Sequence, residues 1–308
     1  MPKRRLNKII DDLFAGARPR EEKHMTKRGL LGLVVSATMI IATPAVAMTE
    51  ADVMADIKAF QGYFKKKFPG VALADYADGV NALPAYSERR ANWELLMEFP
   101  PFDPEMEKAR KEWSKPFANG KGFGDCDLAA ANTYPVYDAD TDDLRTLVGD
   151  INGCLKANGE KPIKNVKRSK MARLVAAYRE QFNGQAMAVD VSHPGARRRY
   201  EEGRQFYWAK RGQLNFSCAN CHVNNAGMKV RGDVLSAGLG HGVGFPVFRT
   251  KWSVSGKPWG TVHRRYGGCN KQVRANPFKA QGREYKALEL YEAVMNTGVP
   301  LKVPSQRQ

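Results

Sequence analysis

The sequence predicts a mainly α protein with long loops. Three observations carry that reading. Apolar residues recur at helical spacing in several segments, the two-residue alternation of strands is weak throughout, and a loop-rich stretch from Asn215 to Pro277 precedes a last helix.

Thr49-Glu-Ala-Asp52 opens the first helix as a capping box. Val53, Ile57, Phe60 and Phe64 then fall on one face, and Pro69-Gly70 stops the run. Lys65-Lys-Lys67 reads as a solvated helix end, its cations meeting the negative end of the dipole. A turn-rich stretch spans Pro100 to Gly124. Cys126, Thr133-Tyr-Pro-Val-Tyr137 and a helical run reaching Cys154 follow. Met171, Leu174, Val175, Tyr178 and Phe182 share the face of a further helix. The segment from Asn183 to Pro194 reads as a linker, which divides the chain into residues 48–185 and 186–308. Tyr200, Gly203, Phe206 and Tyr207 mark the next helix, and the last runs from about Glu284 to Met295 before Gly298.

Residues 1–47 read as a removable signal peptide. Met25-Thr-Lys-Arg-Gly29 is a basic start, Leu30 to Ala42 is apolar but short for a bilayer span, and Ala45-Val-Ala47 is a small-residue cleavage site. Met25 is the expected true start. Export predicts the periplasm, an oxidising compartment, and no membrane span after cleavage. Nine of the 49 basic and four of the 32 acidic residues lie in residues 1–47, so the remainder carries a net charge of +12. That charge favours acidic partners or small anions. No nucleic-acid motif is present, and export argues against a nucleic-acid partner.

Cys218-Ala-Asn-Cys221-His222 is C-x-x-C-H, the c-type haem attachment signature. Two thiols three residues apart lie on one turn and can both add to the vinyl groups of one porphyrin edge. The next residue places an imidazole under the iron. A thioredoxin-like pair needs a strand before the motif, and a zinc site needs a second Cys/His pair. Neither fits. The aromatic helix upstream, the loops downstream and the closing helix follow the layout of a cytochrome c. One covalently bound haem c is therefore expected in residues 186–308.

A sixth iron ligand in such proteins is commonly a loop methionine. The candidates after His222 are Met228, His241, His263 and Cys269. Met228 is too near His222 in sequence to reach the far haem face. His241 and His263 read as hydrogen-bonding residues. Cys269 stands where the methionine is expected, and a thiolate there would lower the iron's potential. Arg264, Arg265, Lys271 and Arg274 around it make a merely buried thiol expensive. Cys126 and Cys154 belong to no attachment motif, so export predicts a disulfide between them. Gly238-Leu-Gly-His-Gly-Val-Gly244 lacks the spacing of a dinucleotide loop.

Three segments resemble one family: Arg211 to His222, Phe245-Pro-Val-Phe-Arg-Thr-Lys-Trp252, and His263-Arg-Arg-Tyr-Gly-Gly-Cys-Asn-Lys-Gln-Val-Arg-Ala275. So do Phe123-Gly-Asp-Cys126, Tyr134-Pro-Val-Tyr-Asp138 and Ile151-Asn-Gly-Cys154. They are similar to SoxA, the catalytic cytochrome c subunits of the SoxAX complexes of bacterial thiosulfate oxidation. The resemblance implies two cytochrome-c-like domains, a haem-less 48–185 and a haem-binding 186–308, with Cys126–Cys154 bonded in the first. It implies Cys269 as both distal ligand and active-site cysteine, beside an active-site Arg265. The implied activity is L-cysteine S-thiosulfotransferase, joining thiosulfate oxidatively to a cysteine of a SoxYZ-like carrier. The implied standing partner is a SoxX-like cytochrome c subunit, in a heterodimer. A pure electron-transfer subunit with Cys269 only a ligand is the alternative, and a redox-sensing haem protein is a third class.

Overall fold

The computed structural model describes residues 48–307. The predicted signal segment, residues 1–47, lies outside the described residues. Helix α1, Glu50–Lys67, begins at the predicted box: Asp52 N–H donates to Thr49 Oγ1, and Thr49 N–H donates back to Asp52 Oδ2. Its four predicted face residues are all buried.

The turn-rich reading of residues 100–124 is corrected. It holds a helix, α3, Asp103–Ser114, which follows α2, Ser87–Glu98. Pro104 falls in the first turn of α3, where a missing N–H costs no helical bond. Met106 and Ala109 bury its inner face. Two forked ion pairs tie α3 to α5, Lys170–Glu180: Arg110 with Glu180 and Arg173 with Glu112. Between them run the hairpin β1–β2, Val136–Asp138 with Asp143–Arg145, and α4, Leu147–Ala157.

Cys126 and Cys154 form a disulfide with Cα atoms 5.8 Å apart. It pins the edge of a core built from Phe117, Phe123, Leu147, Ile151, Met171 and Leu174. In the loop-entropy model this closure is worth roughly 3–4 kcal/mol. Paired Cys126→Ser and Cys154→Ser changes are expected to lower unfolding free energy by about that much. Denaturant unfolding with an unchanged midpoint would show that the bond contributes nothing.

The predicted linker is stitched down rather than free. Gly184 and Met187 N–H donate to the carbonyls of Leu301 and Val299, and Leu301 and Gly298 N–H donate back to Gln185 and Met187. The main core gathers α1, α6 (Pro194–Trp208) and α9 (Arg283–Met295). The α6–α9 crossing is close because Gly203 has no side chain: a Cβ there would lie 2.0 Å from Ala287 O and 2.8 Å from Tyr291 Cβ. Tyr200 and Tyr207 flank the crossing and pack on Tyr291, with ring centroids 5.4 and 5.1 Å away.

The strand content is small, as the weak alternation predicts. Beyond β1–β2, a two-residue ribbon pairs β3, Lys229–Val230, with β4, Asp233–Val234. A three-stranded sheet has β5, Val247–Arg249, at its centre, antiparallel to β6, Trp259–Gly260, and parallel to β7, Ser305–Arg307. The short α7, Thr250–Ser253, follows β5. β6 leads into α8, Val262–Gln272. That helix corrects the loop reading around Cys269. Its glycine pair, Gly267-Gly268, is a poor helix former. Burial of His263, Tyr266 and Asn270 against α9 supplies what propensity lacks. Among the described residues, no helix is long and apolar enough to cross a membrane.

Candidate functional site

The C-x-x-C-H segment folds as a wide turn, helical from Cys218 and π-type over Asn220–Asn224. Its start is held by a reciprocal cap: Asn220 N–H donates to Ser217 Oγ, and Ser217 N–H donates to Asn220 Oδ1, both at 3.0 Å. Its end is held from α1, where Lys67 Nζ donates to the carbonyls of Val223 (2.9 Å) and Asn224 (2.6 Å). Lys67 is therefore a clamp on this turn, not the solvated charge its sequence context suggests. Partial burial lowers its pKa.

His222 is oriented by a second contact. Its Nδ1 lies 2.9 Å from the Ser236 carbonyl, which can only accept, so Nδ1 carries the proton. Nε2 keeps the lone pair a metal needs. Burial pushes the His222 pKa down to about 3, so the ring is neutral near pH 7. Behind it stands His241, ring centroid 4.4 Å away, with Nε2 at 2.8 Å from Ser236 Oγ. His241 is likewise lowered to about 3 by burial.

Cys269 is half-buried on α8 and its sulfur is free, as are those of Cys218 and Cys221. It lies near enough to the attachment pair to act on both. The Cys218 thiol is pushed up by burial first, then by Glu292 and Cys269; the Cys221 thiol by burial and then Cys269. Arg265 sits one helical turn before Cys269, on the same face of α8. Its charge opposes the rise at Cys221 and reinforces the lowering at His222. The structure thus brings Cys218, Cys221, His222, Arg265 and Cys269 into one neighbourhood.

The other cations near Cys269 in sequence disperse. Arg264 stacks on Trp252 at 3.7 Å and donates to the carbonyls of Lys257 and Trp259. Lys271 and Arg274 are exposed. Met228 is 61% exposed and does not belong to the buried site. His263 makes hydrogen bonds: its Nδ1 accepts from Gln281 N–H at 2.9 Å, and its Nε2 faces Glu289 Oε2 at 2.9 Å.

Sequence reasoning missed Glu292, Tyr266, Ser236 and Asn296. Glu292 is buried on α9, accepts from Tyr266 O–H at 2.5 Å and stands 3.5 Å from His241 Nδ1. Burial pushes its pKa up to about 7. The available signal was its place on the apolar face of α9, one turn after Leu288. Asn296, the C-cap of that helix, fixes His241, donating to the His241 carbonyl at 2.8 Å while accepting from Gly240 N–H.

The donor set suits a c-type haem: two free thiols on one turn, a neutral imidazole with its tautomer fixed, and a further sulfur beside them. No family model matches the chain. Curated relatives do. The chain is 41% identical over 292 residues to the L-cysteine S-thiosulfotransferase subunit SoxA of Chlorobaculum thiosulfatiphilum, covering 93% of this chain and all of that protein. It is 39% identical to the SoxA subunit of Allochromatium vinosum, over 92% of this chain and all of that one. A crystal structure of SoxXA from P. pantotrophus superposes with a TM-score of 0.60 at 30% identity, covering 68% of this chain and 79% of that one. With sequence likeness running the full length of these relatives and a fold shared with a solved complex, the chain belongs to the SoxA family of L-cysteine S-thiosulfotransferase subunits.

Proposed function

We infer that this chain is the L-cysteine S-thiosulfotransferase subunit of a SoxXA-type complex, with one haem c attached through Cys218 and Cys221. His222 and Cys269 would hold its iron, and Cys269 and Arg265 would be the catalytic residues. Residues 48–185 act as a haem-less cytochrome-c-like domain and residues 186–308 as the haem-bearing one. The signal segment sends the chain to the periplasm. The observation that carries the reading is that the segment leading into the attachment turn lies against the end of α8, the helix of Cys269 and Arg265: Leu214 N–H donates to the Val273 carbonyl at 3.3 Å.

The chemistry follows from these side chains. Thiosulfate is a small dianion, and the Arg265 guanidinium binds its sulfonate end by charge-assisted bonds. The sulfane sulfur then points at Cys269. A sulfur–sulfur bond forms between the Cys269 thiolate and that sulfur, and two electrons leave. A cysteine thiolate of a SoxYZ-like carrier next attacks the sulfane sulfur. The Cys269 thiolate departs, and the carrier keeps the S-thiosulfonate. A haem bound there would accept one electron at a time. The second electron requires a further acceptor, the role assigned to a SoxX-like cytochrome subunit.

The test is intact mass of the exported chain under denaturing conditions, with its absorption spectrum. One covalent haem on the chain is expected. A mass for two haems, or for none, overturns the assignment.

A further inference from the structure

We propose that Glu292 is a positioning residue that ties both axial-ligand segments to one point of α9, through Tyr266 to the helix bearing Cys269 and through His241 to the loop that orients His222. The proposal rests on the reading of His222 and Cys269 as iron ligands.

A carboxylate buried on an apolar helix face is costly unless its partners compensate. Glu292 divides its two oxygens between two different segments. Oε2 accepts from Tyr266 O–H at 2.5 Å, and Tyr266 lies on α8 three residues before Cys269. Oε1 stands 3.5 Å from His241 Nδ1. From His241 the path continues through Nε2 to Ser236 Oγ at 2.8 Å, and the Ser236 carbonyl holds His222 Nδ1 at 2.9 Å. Glu292 therefore touches neither ligand yet reaches the support of each.

The neighbouring contacts show why one residue can set both. On α8, His263, Tyr266 and Asn270 share one buried face and each meets a polar partner on α9: Glu289 at 2.9 Å, Glu292 at 2.5 Å and the Tyr285 hydroxyl at 2.6 Å. Such a seam fixes rotation of α8 about its axis, which apolar packing alone fixes less sharply. On the other side, Asn296 holds the backbone of Gly240 and His241 to the same helix. Among these α9 residues, Glu292 alone contacts both α8 and the 236–241 loop through its side chain. Ligand geometry has to be held to about 0.5 Å and 10–20°, so a shared anchor for both faces has a direct use.

The experiment uses the haem-loaded complex with its cytochrome partner. Tyr266→Phe removes the α8 arm while keeping the ring. Glu292→Gln keeps an acceptor for Tyr266 but turns an N–H toward His241. Low-temperature electron paramagnetic resonance reads the axial ligands, and redox titration reads the iron. Both variants are expected to keep covalent haem. Each should split or broaden the thiolate–imidazole signal and change the iron's reduction equilibrium at least tenfold, about 59 mV for one electron. Variants that only melt earlier, with wild-type resonance and potential, overturn the proposal and leave Glu292 a structural residue. Should Glu292→Gln fail to fold, Tyr266→Phe decides alone. A wild-type complex without the thiolate–imidazole signature overturns the ligand reading and this proposal together. A wild-type signature with unmoved variants overturns this proposal only.

Discussion

Replacing Cys269 by alanine is expected to abolish thiosulfate transfer and to change the haem spectrum in a single step. Cys126 and Cys154 are consumed by a disulfide, and Cys218 and Cys221 stand on the attachment turn. Cys269 is the remaining cysteine, and its charge would raise both attachment thiols. Alanine there removes the proposed ligand and the proposed nucleophile together. Arg265→Ala separates the two roles. The turn with Cys218, Cys221 and His222 is held by hydrogen bonds of Ser217, Asn220 and Lys67 that do not involve Arg265. Haem attachment should therefore survive. Turnover should fall roughly ten- to a hundred-fold, because a lost charge-assisted bond to a dianion is worth about 1.5–3 kcal/mol. Steady-state assays with thiosulfate, carrier and an electron acceptor measure both. Full activity in Cys269→Ala would return the chain to the class of simple electron carriers.

The second large effect is structural. Gly203→Ala is expected to destabilise the fold by about 1–3 kcal/mol or more, the range for inserting a methyl into a filled interior. The added carbon would stand 2.0 Å from a backbone oxygen, Ala287 O, which cannot swing aside as a side chain can. Helix α9 would have to move, and it carries Tyr291, packed on Tyr200 and Tyr207, as well as Glu292. Thermal unfolding of the variant reads the cost. A melting temperature equal to wild type would falsify the close crossing.

Much of this was legible before any coordinates. Val53, Ile57, Phe60 and Phe64 announce α1 by spacing alone, and all four are buried. The attachment turn is legible because its chemistry confines residue types to a few adjacent positions. Among the helices the sequence did not announce, two were hidden for different reasons. In α3, a proline and many charges suggest turns, yet Pro104 sits where a helix tolerates it and charges pair across to α5. In α8, two glycines and several cations suggest a loop, and the stabilising partners lie on α9, which no local window contains. The same distance hid the support of the site. Cys269 and Arg265 are one turn apart in sequence and could be paired by eye. Glu292 contacts Tyr266 across 26 residues and His241 across 51.

The first and last helices also meet: Gln61 on α1 donates to the Thr297 carbonyl just beyond α9, at 2.8 Å and 236 residues away in sequence. Lys67, on the same α1, closes the end of the attachment turn. The clamp on the site thus consists of the earliest part of the described chain docked against nearly the latest. Closing so long a loop is entropically costly and comes after local pairings in folding. Helix α1 packs on Tyr76 and on Tyr207 of α6 as well, so its seat is complete only when the near, middle and far parts of the chain are all in place.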